Sequence, residues 1–150
     1  MTVFSKESFH SVKDEIKPLV EKHWNELASY KDIPLNINYK MYAVSDAIEE
    51  LEIYTVRESG DLIGYAIFFV RQPLHYLGSM WAIADVIWLH PDFRRNSVGR
   101  GFVKFCEDRL KIRGVQVITY GMKLSHPALG RLLESEGYTP VEVHHQKKVK

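Results

Sequence analysis

One cysteine in 150 residues rules out an internal disulfide framework. That residue, Cys106, falls on the apolar side of a helical pattern and reads as a small packed hydrophobe. No apolar run nears the ~18–20 residues of a membrane span; the longest, Tyr65 to Val70, is strand-sized. Charge bias is lacking too. Twenty Lys and Arg face nineteen Asp and Glu, a net +1, which removes the bulk electrostatic case for nucleic acid or an anionic membrane as partner. The basic end, Lys147-Lys148-Val149-Lys150, is too short to change this. There is no internal repeat and no low-complexity segment. Neither Gly-x-x-x-x-Gly-Lys-Ser/Thr nor Gly-x-Gly-x-x-Gly occurs. His144-His145 has no partner at metal-ligand spacing, so no metal site is expected. A lone thiol and no signal peptide give a cytoplasmic expectation.

What is present suits one ordinary globular domain, residues 1–150, with 45% apolar and 26% charged residues. Residues 5–28 read as a helix with Ile16, Leu19, Val20, Trp24 and Leu27 on one face, kinked or restarted at Pro18. Residues 29–40 are polar and turn-like, and a second helix is expected over 40–50. Strands Glu52 to Glu58 and Leu62 to Arg71 flank Ser59-Gly60-Asp61, a hairpin signature. Gln72 to Ser79, with Pro73 and Gly78, reads as a loop feeding a strand that ends at Leu89. Further on, Gly114 stops a helix and Val115 to Tyr120 is strand-like. Ser125 to Glu136 is helical, with Ser125 as N-cap and Gly137 past its end, and Tyr138 to Lys147 is expected as a last strand. This order predicts a mixed α/β (α+β) domain.

The chemistry concentrates between Trp88 and Leu110. An apolar strand, Ile83 to Leu89, runs into His90-Pro91, then a polar loop, Arg94-Arg95-Asn96-Ser97-Val98-Gly99, then an amphipathic helix. Val98, Phe102, Phe105, Cys106 and Leu110 recur at helical spacing. The first N–H groups of such a helix have no partner, and its dipole favours negative charge there. Arg94, Arg95 and Arg100 add fixed positive charge, so the loop suits a phosphate-bearing ligand.

The loop resembles the cofactor loop of the GNAT (Gcn5-related N-acetyltransferase) family. That pattern is Arg/Gln-x-x-Gly-x-Gly/Ala after a strand ending in Val-x-Pro. Leu89-His90-Pro91 matches the strand end, and Arg94-x-x-Ser97-x-Gly99 matches the loop with Ser97 in place of the first glycine. A second register, Asn96-x-x-Gly99-x-Gly101, keeps both glycines and loses the arginine; the first keeps the spacing from Pro91. Residues His126 to Tyr138 match a second family motif without insertion, His126 standing for its asparagine and Leu133 for its tyrosine. More loosely, the opening helix, Leu74-His75-Tyr76 and Asp85-Val86-Ile87 resemble members carried by phages and prophages.

The resemblance implies a GNAT-like fold, a central, mostly antiparallel mixed sheet flanked by helices, that transfers an acetyl group from acetyl-CoA to a primary amine. It places the pyrophosphate on Leu89, Arg94, Arg95, Asn96, Ser97, Val98, Gly99 and Arg100, with the backbone N–H of Leu89 as oxyanion donor. Such chemistry needs a base for an amine whose pKa is near ~10.4. Asp85 is the one carboxylate in the run Met80 to Leu89, at the parity of Ile87 and Leu89; a structural aspartate bonded to backbone is the other role open to it. With tyrosine missing at position 133, Tyr120, Tyr138 or water is left to protonate the thiolate. His23, Trp24 and Glu26, with His75 and Tyr76, border the acceptor end by the same resemblance. Trp24 falls in the apolar stripe and reads as core, which leaves His75 and Tyr76 the better acceptor contacts. The expected partner is a small-molecule or peptide amine, and a homodimer is the family's analogy. The alternative reading is a GNAT-fold module that binds CoA, or only a partner, without turnover.

Overall fold

The computed structural model describes all 150 residues. Five strands form one sheet in the order β1-β2-β3-β4-β5, where β1 is Thr2–Lys6, β2 Leu51–Glu58, β3 Asp61–Arg71, β4 Trp81–Leu89 and β5 Val117–Thr119. The first four pair antiparallel, and β5 joins β4 in parallel. Helices α1 (Phe9–Leu27) and α2 (Tyr39–Ala47) cover one face and α3 (Val98–Ile112) the other, with α4 (Ala128–Ser135) beside the start of α3. This is the mixed α+β sheet architecture that the sequence order predicts.

Each element has a local cause. Ser59 and Gly60, at φ of 50° and 94°, make the two-residue turn that closes β2 on β3, with Glu58 opposite Asp61. Ser8 and Asn38 cap α1 and α2 by accepting from Ser11 N–H and Met41 N–H. Gly114 and Gly137, at φ of 94° and 91°, end α3 and α4 as expected. On α3, Phe102, Cys106 and Leu110 are buried against Tyr54, Phe68 and Ala82 of the sheet. Phe9, Val12 and Ile16 of α1 pack on Ile53, Tyr65, Ile67 and Trp88 of the opposite face.

Three expectations fail, and of the two alternatives at Pro18 the restart is absent. Residues 5 and 6 belong to the edge strand β1, so α1 starts only at Phe9, behind its Ser8 cap. The helix runs through Pro18 without a restart, because Pro18 is exposed and water can serve the carbonyl it leaves unpaired. Ser125 does not cap α4; its hydroxyl pairs with His126 Nδ1 at 3.0 Å, and the helix begins after Pro127. The last strand, Tyr138 to Lys147, does not form. Val141 and Val143 stay 83% and 60% exposed, so an extended tail there has no apolar face to bury.

Candidate active site

β4 and β5 are joined only at Trp81–Ile83 with Val117–Thr119, and from Ala84 onward β4 has no neighbour on that side. A wedge therefore opens toward the C-terminal end of β4. Its wall can be read from the hydrogen bonds. His90 N–H donates to Ile63 C=O at 2.7 Å, which makes the Leu89–Gly64 pair the non-bonded kind, so the N–H and C=O of Leu89 both point away from β3 and into the wedge. The close approach that results leaves no room at Gly64, where a Cβ would sit 2.9 Å from the Trp88 carbonyl.

Midway along β4 the register slips. Val86 faces Ile67 and Ala84 faces Phe68, which leaves Asp85 as the extra residue of a β-bulge. The slip reverses the side-chain alternation. Ala82 and Ala84 pack on the α3 side, and so do Ile87 and Leu89, whereas Val86 and Trp88 pack on the α1–α2 side. Asp85 therefore does not share a face with Ile87 and Leu89 as strict alternation predicts. Its carboxylate is exposed on the α1–α2 side and accepts a hydrogen bond from Tyr42 Oη of α2.

At the wedge mouth, Pro91–Phe93 form a single 3₁₀ turn and the loop leads into α3. Asn96 Oδ1 accepts from Val98 N–H at 3.1 Å. The N–H groups of Arg95, Asn96, Ser97, Gly99 and Arg100 have no acceptor in the protein. These donors and the helix dipole make an anion cradle. Only one arginine is available to it. Arg94 is bound by Glu26, and Arg100 by Glu136 (3.1 Å) and Ser135 (3.3 Å); Arg95 alone has no partner. Ser97 makes no side-chain cap bond, so its hydroxyl is also available.

The α1–α2 face next to the bulge is polar and aromatic. His23 Nδ1 lies 3.2 Å from Tyr65 Oη, and its ring stacks on Trp88 at 6.4 Å. Burial pulls the His23 pKa below its ordinary 6.5, so the ring is neutral at neutral pH. Burial also pushes the Tyr42 and Tyr65 phenols up, with Asp85 adding to both, so each stays a hydrogen-bond donor. Hydrogen bonds from Arg94 hold the Glu26 carboxyl below the usual carboxylate range.

The split between β4 and β5 opens beside the strand–loop–helix unit that the sequence pattern predicts, and the sequence model of the acetyltransferase (GNAT) family matches residues 11–135. The chain belongs to the GNAT family. No curated protein matches the sequence. Among solved structures, it resembles an aminoglycoside acetyltransferase from an uncultured soil metagenomic sample, with a TM-score of 0.78 at 10% identity over 99% of this chain and 97% of that one. A ribosomal-protein-alanine N-acetyltransferase from Brucella melitensis gives 0.74 at 14% identity, with both chains fully covered. A predicted acetyltransferase from Clostridium acetobutylicum, solved with acetyl-CoA, gives 0.73 at 12% over 99% and 97%. At these identities the likeness establishes the GNAT fold.

Within that fold the candidate residues divide between two sides. Leu89 and Arg94 to Arg100 gather at the wedge mouth, while Asp85 sits on the opposite, α1–α2 face with His23 and Glu26. Tyr76 stacks on Trp81 at 4.9 Å, four residues down β4 from Asp85, and His75 is exposed in the same loop. Trp24 is not part of either core cluster; it lines a surface cleft of about 310 Å³ with Tyr30, Leu35 and Lys123. At the motif-tyrosine position, Leu133 is buried. Tyr138 Oη donates to Glu107, and Tyr120 packs edge-on between Phe68 and Tyr138 with its hydroxyl buried and unpaired. Tyr42 and Tyr65 were not legible as site residues. Tyr42 reaches Asp85 only through the packing of α2 on the sheet, and the bulge turns Asp85 toward it.

Proposed function

We propose that this protein is an N-acetyltransferase that moves an acetyl group from acetyl-CoA directly to a primary amine. The observation that carries this reading is the set of unpaired N–H groups of Arg95, Asn96, Ser97, Gly99 and Arg100, placed where the gap between β4 and β5 opens. They suit a pyrophosphate, with the Arg95 side chain and Ser97 hydroxyl beside them, while the gap receives the pantetheine arm. The thioester carbonyl then meets the inward N–H of Leu89, which stabilises the oxyanion. The amine approaches from the α1–α2 face and gives its proton to Asp85, directly or through water, as its nitrogen attacks the carbonyl carbon. The carbon–sulfur bond breaks and CoA leaves as thiolate. No nucleophile intervenes, since Cys106 is fully buried and burial raises its thiol pKa. The acceptor is a small-molecule or peptide amine; the soil aminoglycoside acetyltransferase and the Brucella alanine acetyltransferase it resembles take one of each kind by name.

A thermal-shift titration with CoA tests the donor side. Ligand that binds only the folded state stabilises it by ~2.7 kcal/mol at a hundredfold excess over Kd. Ser97→Asp should abolish the shift by repelling phosphate, although aspartate is itself a good N-cap and leaves folding intact. No shift with millimolar CoA or acetyl-CoA overturns the reading. The buried Leu133 favours a second one, a GNAT-fold module that holds CoA without turnover. A screen of amines for CoA-thiol release separates the two.

A further inference from the structure

Arg94, the arginine that opens the loop motif, engages all three of its guanidinium nitrogens with protein acceptors. Its Nε donates to the Leu89 carbonyl at 2.6 Å. One terminal nitrogen donates to Glu26 Oε2 at 2.9 Å, and the other to Glu26 Oε1. The same carboxylate accepts from Trp88 Nε1 at 3.3 Å, and the guanidinium lies 6.0 Å from the centre of the Trp88 ring. A planar fork is thus fixed along both edges, an arrangement that a lysine cannot copy. Swinging Arg94 out to a phosphate would break a bidentate ion pair and release the Leu89 carbonyl. Meanwhile Arg95, with no partner, and the five unpaired N–H groups are free to bind an anion.

We infer that Arg94 and Glu26 act together as a strut that sets the orientation of the Leu89 backbone, and that Arg94 is not a phosphate ligand. The inference rests on the donor reading above. It assigns both as positioning residues. Leu89 is the last residue of β4, beyond any pairing with β5, and its carbonyl is oriented by Arg94. Glu26 stands near the end of α1, 68 residues from Arg94, so the strut ties the acceptor-side helix to the donor loop. A shift in that helix reaches the oxyanion donor through two side chains.

The test compares the intact protein with Glu26→Gln, Arg94→Lys and the double variant. CoA affinity is measured by calorimetry. Turnover is followed as CoA-thiol release from acetyl-CoA, with an amine from the screen or with water as acceptor. The Nε–H resonance of Arg94 is followed by NMR. A positioning role predicts that CoA Kd stays within about threefold in each single variant while kcat falls about 10- to 100-fold, the cost of a small misplacement at a reacting centre. The double variant should be no worse than either single, because the two residues form one device. The Arg94 resonance should be slow to exchange without ligand and unmoved by CoA. A loss of CoA affinity of about tenfold or more in Arg94→Lys, with Glu26→Gln unaffected, makes Arg94 a phosphate ligand and overturns the strut. So does rapid exchange of that N–H in the free protein. Failure of the unmutated protein to bind CoA overturns the donor reading instead, and the strut's role with it.

Discussion

Tyr42 donates its phenolic O–H to the carboxylate of Asp85, so helix α2 holds the one residue that the β4 bulge leaves without a partner on β3. This places the candidate base outside the apolar core, where it has one side-chain partner and contact with water. Asparagine keeps an oxygen for Tyr42 at that site. Asp85→Asn should therefore fold normally, with a melting point close to that of the parent. If Asp85 takes the amine proton, the variant's kcat/KM should fall ~10²–10⁴-fold with CoA affinity retained. Steady-state kinetics beside a calorimetric CoA titration check this. Unchanged turnover per folded molecule would leave Asp85 a structural residue.

Gly64 and Gly101, both crowded, should respond differently. At Gly64 a Cβ would meet the Trp88 carbonyl and Leu89 Cδ1, both at 2.9 Å, and the backbone oxygen cannot step aside. Gly64→Ala is expected to cost about 1–3 kcal/mol, the usual range for overpacking, and to disturb the end of β4. Gly101 lies inside α3 against the Phe4 ring at 3.2 Å. Alanine is the better helix former there by ~1 kcal/mol, which offsets the push on a ring that belongs to an edge strand. Gly101→Ala should come out within about 1 kcal/mol of neutral on this balance. Urea unfolding of both variants checks the order.

Most of the architecture was legible because it follows local rules. The Ser59-Gly60 turn, the stop at Gly114 and the α3 stripe through Phe102, Cys106 and Leu110 each depend on neighbours in sequence. The strand–loop–helix unit that runs from Leu89 into α3 was legible for the same reason. What depends on distant partners was not. The identity of Arg94's partner, Glu26, could not be read from the loop. Parity along β4 failed at Asp85 because a bulge adds one residue without changing composition. The tail showed alternating Val141 and Val143, yet a strand needs a face to bury and none covers them. β1 went unseen since Thr2–Lys6 is short and gains its pairing only from β2, some fifty residues on.

Cys106 should be silent toward thiol reagents in the native state. It is fully buried between α3 and the sheet, and burial raises its pKa, so almost no thiolate is present at neutral pH. Labelling by a maleimide should follow global unfolding, with one thiol appearing as urea is raised. Fast labelling of folded protein would show that α3 opens locally.

Stability should fall as the pH drops through the histidine range, and His23 should account for the slope. Its ring is packed among Tyr65 and Trp88, with Glu26 and Asp85 favouring its charged form and Arg94 opposing it. Burial is the largest influence, and it holds the folded-state pKa below the ordinary 6.5. The unfolded chain then binds a proton that the folded protein refuses, so unfolding gains as the pH falls below about 6.5, until the depressed native value is reached. Above that window the contribution of His23 is flat. One proton sets a ceiling of about 1.4 kcal/mol per pH unit on the slope. Glu15, Glu26 and Glu107 are held below their ordinary 4.5, chiefly by hydrogen bonds from Arg57, Arg94 and Lys111, so their losses arrive only further into acid. Urea midpoints at pH 7.5, 6.5 and 5.5 should decline for the parent and hold nearly level for His23→Gln, which keeps a polar group near Tyr65. An equal decline in both proteins would place the titrating group elsewhere.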